Sequence, residues 1–159
     1  MNTKGQQPFN RPPGPGRGGL HPGGNRNDWK WSEDKAADEV RKAFGSDFVS
    51  FILNPAKPDY NDYIDKVKRY LAEHYKRMTT AQLRNIFSRV RNIENRQQLY
   101  LLRPKLAYVA GRSETDEMKT MLFLLDQLIA NVDCSEKLEQ FKAFYEAVIA
   151  YHKYYGGKE

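Results

Sequence analysis

The sequence predicts an all-α protein, an antiparallel bundle of about five helices behind a disordered Gly/Pro/Arg-rich N-terminal tail. Three observations lead there. Apolar residues recur at three- and four-residue spacing in segment after segment, with no sustained strand alternation. The connections are short and hold helix-capping residue types. Composition also shifts near residue 28: the first 27 residues hold five of the eight prolines, seven of the eleven glycines and no acid. Such a stretch cannot bury enough apolar surface to offset the entropy of ordering it.

Taken in order, residues 1–28 form the expected basic tail, NRPPGPGRGGLHPGGNRN, with Arg11, Arg17 and Arg26 among its glycines. An arginine-glycine arm can add weak RNA affinity, but a solvated leader is the simpler reading. Residues 29–58 read as an extension of irregular chain and short helix. Within it 33–44 is a helix, with Ser32 as N-cap and Gly45 as stop. The run FVSFIL is too short to separate strand from helix, and Pro55 and Pro58 close it.

Residues 59–157 are the bundle proper. Tyr60, Tyr63, Ile64, Val67, Tyr70 and Leu71 mark one face of the first helix. Thr79-Thr80-Ala81-Gln82 offers a capping box for the next, which carries Leu83, Ile86, Phe87, Val90 and Ile93. A third helix is expected over 96–110, stopped by Gly111, with Pro104 kinking it or dividing it in two. Met118, Met121, Leu122, Leu125, Leu128, Ile129 and Val132 form a fourth stripe; Leu138, Phe141, Tyr145, Val148, Ile149 and His152 form a fifth. Each stripe residue contributes about 1.5–3 kcal/mol on burial. Phe123 and Leu124 point away from their stripe and are expected at an interface.

Charge is the first functional signal. The formal net charge is +6, yet residues 66–112 hold twelve Lys or Arg against Glu73 and Glu94, while 28–65 and 113–159 are each −4. Intrahelical ion pairs cannot account for cations where acids are so few. Arg84 and Arg91 are seven residues apart on one flank, with Arg89 on the opposite flank. Lys68, Arg69 and Lys76 share a solvent face, and Lys105 and Arg112 share one if their helix is continuous. Cations about 10 Å apart along a helix can track successive phosphates. The off-stripe Tyr100, Tyr108, Tyr151 and Tyr154 can stack on bases or pack against a neighbouring subunit, with subunit packing the simpler account.

Catalytic chemistry has no such signal. His21 lies in the tail, and His74 and His152 fall on or beside apolar stripes, where a hydrogen-bonded structural histidine is the ordinary outcome. The sequence shows no metal-spaced Cys/His set, GxSxG turn or phosphate-cradling glycine loop. Neither enzyme activity nor a cofactor nor a metal is expected. The single Cys134 fits a reducing cytoplasm, the N-terminus lacks the apolar core of a secretory signal, and 121–132 is too short and too interrupted to span a bilayer. A cytoplasmic protein with no membrane partner is expected.

Three segments add a family resemblance. In order, TTAQLRNIFSRV, LRPKLAYVAGR and FYEAVIAYHKYYGG resemble the small helical subunit of type III-A CRISPR effector (Csm) complexes, a likeness covering roughly residues 60–157. The tail and residues 28–58 fall outside it. The resemblance implies a non-catalytic RNA-binding subunit of an antiviral ribonucleoprotein, stacked in several copies as a filament beside the backbone and large subunits. It further implies contact with target RNA and the guide RNA–target duplex without reading sequence. The family's basic positions match here at Arg84, Arg91, Lys105 and Arg112; Lys76 and Arg77 join them on charge alone. The alternative is a helical adaptor whose basic face meets an acidic protein. A nucleic-acid enzyme would need acids or ligands on that face, and none is seen there.

Overall fold

A computed structural model describes residues 30–157. Among these the chain forms eight α-helices, one 3-10 turn and no strand. The helices are α1 (Glu33–Phe44), α2 (Phe48–Leu53), α3 (Tyr60–His74), α4 (Thr80–Arg91), α5 (Arg96–Tyr100), α6 (Arg103–Arg112), α7 (Asp116–Ala130) and α8 (Ser135–Tyr154), with the 3-10 turn at Tyr75–Arg77. The expected all-α class holds. The expected disordered tail lies outside the described residues.

The first two helices settle the N-terminal extension. At α1 the Ser32 side chain accepts from the Lys35 amide, Glu33 and Asp34 sit in the first turn, Arg41 and Lys42 in the last, and Gly45 closes the helix at φ +99°. Each of these matches the macrodipole or a cap. The ambiguous FVSFIL run is α2. Its buried residues, Phe48, Ile52 and Leu53, are four and five apart, a helical rather than a strand period.

Two local expectations are corrected. The capping box at Thr79 does not form: Thr79 makes no side-chain cap bond. Tertiary bonds fix the entry to α4 instead, with the Thr115 hydroxyl donating to the Arg77 carbonyl. Over 96–110 the division into two helices, one of the two outcomes expected there, holds, as α5 and α6. Pro104 falls in the first turn of α6, where its missing N–H is no loss. Gly111 does not end α6. The helix runs on to Arg112, and Ser113 closes it with its hydroxyl donating to the Val109 carbonyl at 2.8 Å.

Helices α7 and α8 organise the core. Helix α7 packs against α1, α2, α5 and α6, and α8 against α2, α3 and α4. Contact from several sides widens the buried arc of α7 beyond one stripe. Leu124, expected to face outward, is therefore fully buried, and Phe123 is half-buried. On α8, Phe141, Phe144 and Tyr145 are fully buried, and the Tyr145 hydroxyl donates to the Leu83 carbonyl at 2.9 Å. That bond ties α8 to α4, the helix carrying the arginines.

Candidate nucleic-acid interface

Helices α4 and α6 enclose a groove of about 330 Å³. Ile86 and Val109 form its apolar base; Gln82, Asn85 and Arg89 line it from α4, and Lys105, Tyr108 and Arg112 from α6. Three cations face the groove and no acid lines it. Because α6 is continuous from Arg103 to Arg112, Lys105 and Arg112 share a face as their spacing requires. Arg112 is also oriented: its Nη1 donates to the Tyr108 hydroxyl at 2.9 Å, and its guanidinium carbon lies 5.6 Å from that ring's centre.

The six sequence-selected cations do not meet at one place. Lys105 and Arg112 line the groove. Arg84 and Arg91 are exposed on α4 but do not line it, because Arg89 is rotated about 140° from Arg84 around the helix. Lys76 and Arg77 are exposed on the 3-10 turn. Lys76 Nζ lies 5.9 Å from the Tyr75 ring centre. Arg77 Nη1 lies 3.6 Å from Glu117 Oε1, in a depression also lined by Glu39, Glu114 and Asp116. Acids on that side offset its charge.

Two more cations of the basic block serve the fold. The Arg103 guanidinium forks onto Asp126, with Nε and Nη2 donating at 2.7 and 3.1 Å. The bond to Asp126 raises the Arg103 pKa and keeps it charged. Arg96 donates to the Asp133 carbonyl. Net charge along the chain therefore overstates the positive charge offered to a ligand.

Spacing along the chain places Arg89 on the flank opposite Arg84 and Arg91, and gives Gln82 a capping role only and Asn85 none. A usable signal existed. Gln82, Asn85 and Arg89 recur at three and four residues beside Ile86, at the edge of the apolar stripe. A cation at a stripe edge can share a groove with the neighbouring helix, whereas one opposite the stripe faces solvent alone.

His152 is the structural histidine its stripe position implied. It is 1% exposed; Nε2 lies 3.2 Å from both the Tyr75 and Met78 carbonyls, and Nδ1 lies 3.2 Å from the Thr80 hydroxyl. Carbonyls only accept, so Nε2 donates toward them. Among the described residues no group of three or more His, Cys, Asp or Glu could hold a metal ion, and no helix is long and apolar enough to cross a membrane.

A family model described as Csm2 Type III-A matches residues 57–158, well over half of the chain. No curated protein and no solved structure matches it.

Proposed function

We infer the function from one premise: this chain belongs to the Csm2 family, and it is a subunit of a type III-A CRISPR effector complex. Its role there is non-catalytic. It grips the backbone of target RNA, alone or paired with the guide, without reading sequence, and it repeats as stacked copies along the strand beside the backbone and large subunits. The observation that carries this reading is the convergence of Arg89, Lys105 and Arg112 on one groove that no acid lines. Backbone grip needs cations aimed at phosphates rather than side chains aimed at base edges. Arg is suited to it, since its planar fork can hold a phosphate through two hydrogen bonds. Few contacts per copy suffice when copies repeat, because affinity then accumulates through multivalency. Arg84, Arg91, Lys76 and Arg77 serve as flanking cations rather than as the centre of the site.

The test is fluorescence anisotropy of full-length protein on a single-stranded RNA of mixed sequence, across a salt series. About three phosphate contacts imply a log–log slope near −2, or roughly a twentyfold loss of affinity between 50 and 200 mM salt. Replacing Arg89, Lys105 and Arg112 together by Gln should flatten that slope with helicity unchanged by circular dichroism. Replacing Arg84 and Arg91 by Gln should weaken binding less. A folded triple variant that binds RNA as the parent does would overturn the assignment. No RNA affinity, with tight association to an acidic protein, would favour the adaptor reading.

A further inference from the structure

We propose that the groove between α4 and α6 takes one unpaired nucleotide of the bound strand, with the base stacked on Tyr108 and the phosphate held by Arg89, Lys105 and Arg112. This rests on the RNA reading above and adds a preference that phosphate contacts alone do not have. The groove's lining is the first argument. The cations share a concavity of about 330 Å³ with the apolar side chains of Ile86 and Val109, surface that a phosphate alone would not use. That volume lies at the small end of ligand pockets, about 300–1,000 Å³. Tyr108 is the second. Its side chain belongs to the groove yet is 63% exposed, a large ring left open beside three cations.

The ring is also held. The bond from Arg112 fixes the phenol oxygen and brings a cation near the ring, so ring and guanidinium make one prepared surface. Bases of any identity have a π face for such a surface, and stacking therefore carries little sequence preference. The side-chain amides of Gln82 and Asn85 offer both donors and acceptors to a base edge, which suits tolerance of all four bases. A fully paired A-form helix cannot use the groove in this way. Its bases stay stacked inside, and it presents only phosphates and 2′-hydroxyls.

Three ligands separate the contributions: a single-stranded RNA, a strand of the same length made of ribose phosphates without bases, and a fully paired RNA duplex. Full-length protein should bind the RNA strand more tightly than the base-free strand or the duplex. Tyr108→Ala should weaken RNA binding by about five- to 150-fold per engaged base, weaken the base-free strand far less through the freed Arg112, and so shrink the difference. Tyr108→Phe keeps the ring and should retain most of it. Because Tyr108 is exposed, its truncation leaves no core cavity, and circular dichroism should be unchanged. A 2-aminopurine in the RNA strand should lose fluorescence on binding the parent and keep it with Tyr108→Ala. Equal affinity of the parent for all three ligands overturns the nucleotide site while the backbone-binding function stands. Failure to bind any of them removes both.

Discussion

Lys57 shows how one side chain can set a pH dependence. Its Nζ donates to the Ile52 carbonyl at 2.8 Å, the Asn54 carbonyl at 2.8 Å and Gln140 Oε1 at 2.7 Å, and lies 4.5 Å from the Tyr63 ring centre. All three ammonium protons are met, and the bonds tie the C-terminal end of α2 to α8. Burial still pulls its pKa from the ordinary 10.5 down to about 8. Between those values the unfolded chain holds a proton that the folded chain has released, so stability rises with pH across that window. Burial above all raises the pKa of Tyr63, Tyr70 and Tyr145 from the ordinary 10. Above pH 10 the unfolded chain loses these phenolic protons first, and stability falls. The urea midpoint should therefore climb from pH 8 toward 10 and drop beyond, and Lys57→Met should flatten the climb. The same slope in both proteins would show that Lys57 does not cause it. Nothing in the sequence marked this residue, because a lysine between two prolines reads as loop.

Helix ends show which local signals survive tertiary contact. Ser32 and Gly45 were legible as the two ends of α1 because the chain there is close to solvent and local bonds decide. Thr79 had the stronger pattern, and it makes no cap bond. The start of α4 is held by the Thr115 hydroxyl on the Arg77 carbonyl and by His152 Nε2 facing the Tyr75 and Met78 carbonyls, contacts 38 to 77 residues away in sequence. Asp59 carries no capping-box pattern, yet its Oδ1 accepts from the Asn61 and Asp62 amides at 2.9 and 3.1 Å. Removing a used cap typically costs about 0.5–2 kcal/mol. An exposed side chain without such a role stays within about 0.5 kcal/mol. Asp59→Ala should lower the urea midpoint measurably while Thr79→Ala leaves it nearly unchanged. Equal losses would mean that Thr79 caps α4 after all. The same distinction explains the groove. The spacing of Lys105 and Arg112 was readable along one helix, but their meeting with Arg89 depends on how α4 and α6 lie side by side.

For the whole molecule, the match to the Csm2 family begins at residue 57, after α2, but the hydrophobic core does not. Helix α1 lies on α7 and α2 on α8, and Val40, Phe44, Ile52 and Leu53 from these two helices are each at most 2% exposed. The Phe44 ring centre sits 5.4 Å from that of Tyr70 and 6.0 Å from that of Phe144, joining α1 to both α3 and α8. Without residues 33–53, parts of α7 and α8 that carry fully buried side chains would face water. The fold class was visible in the apolar periodicity, but the membership of α1 and α2 in this core was not, because short stripes do not say what they pack against. A chain starting at residue 57 should therefore keep much of its helicity but lose a cooperative thermal transition and bind a hydrophobic dye. Phe44→Ala in the full chain should cost about 3–5 kcal/mol, the range for truncating a buried aromatic ring. If the shortened chain instead melts as sharply and as high as the full one, α1 and α2 are an appendage, and the family-matching residues fold by themselves.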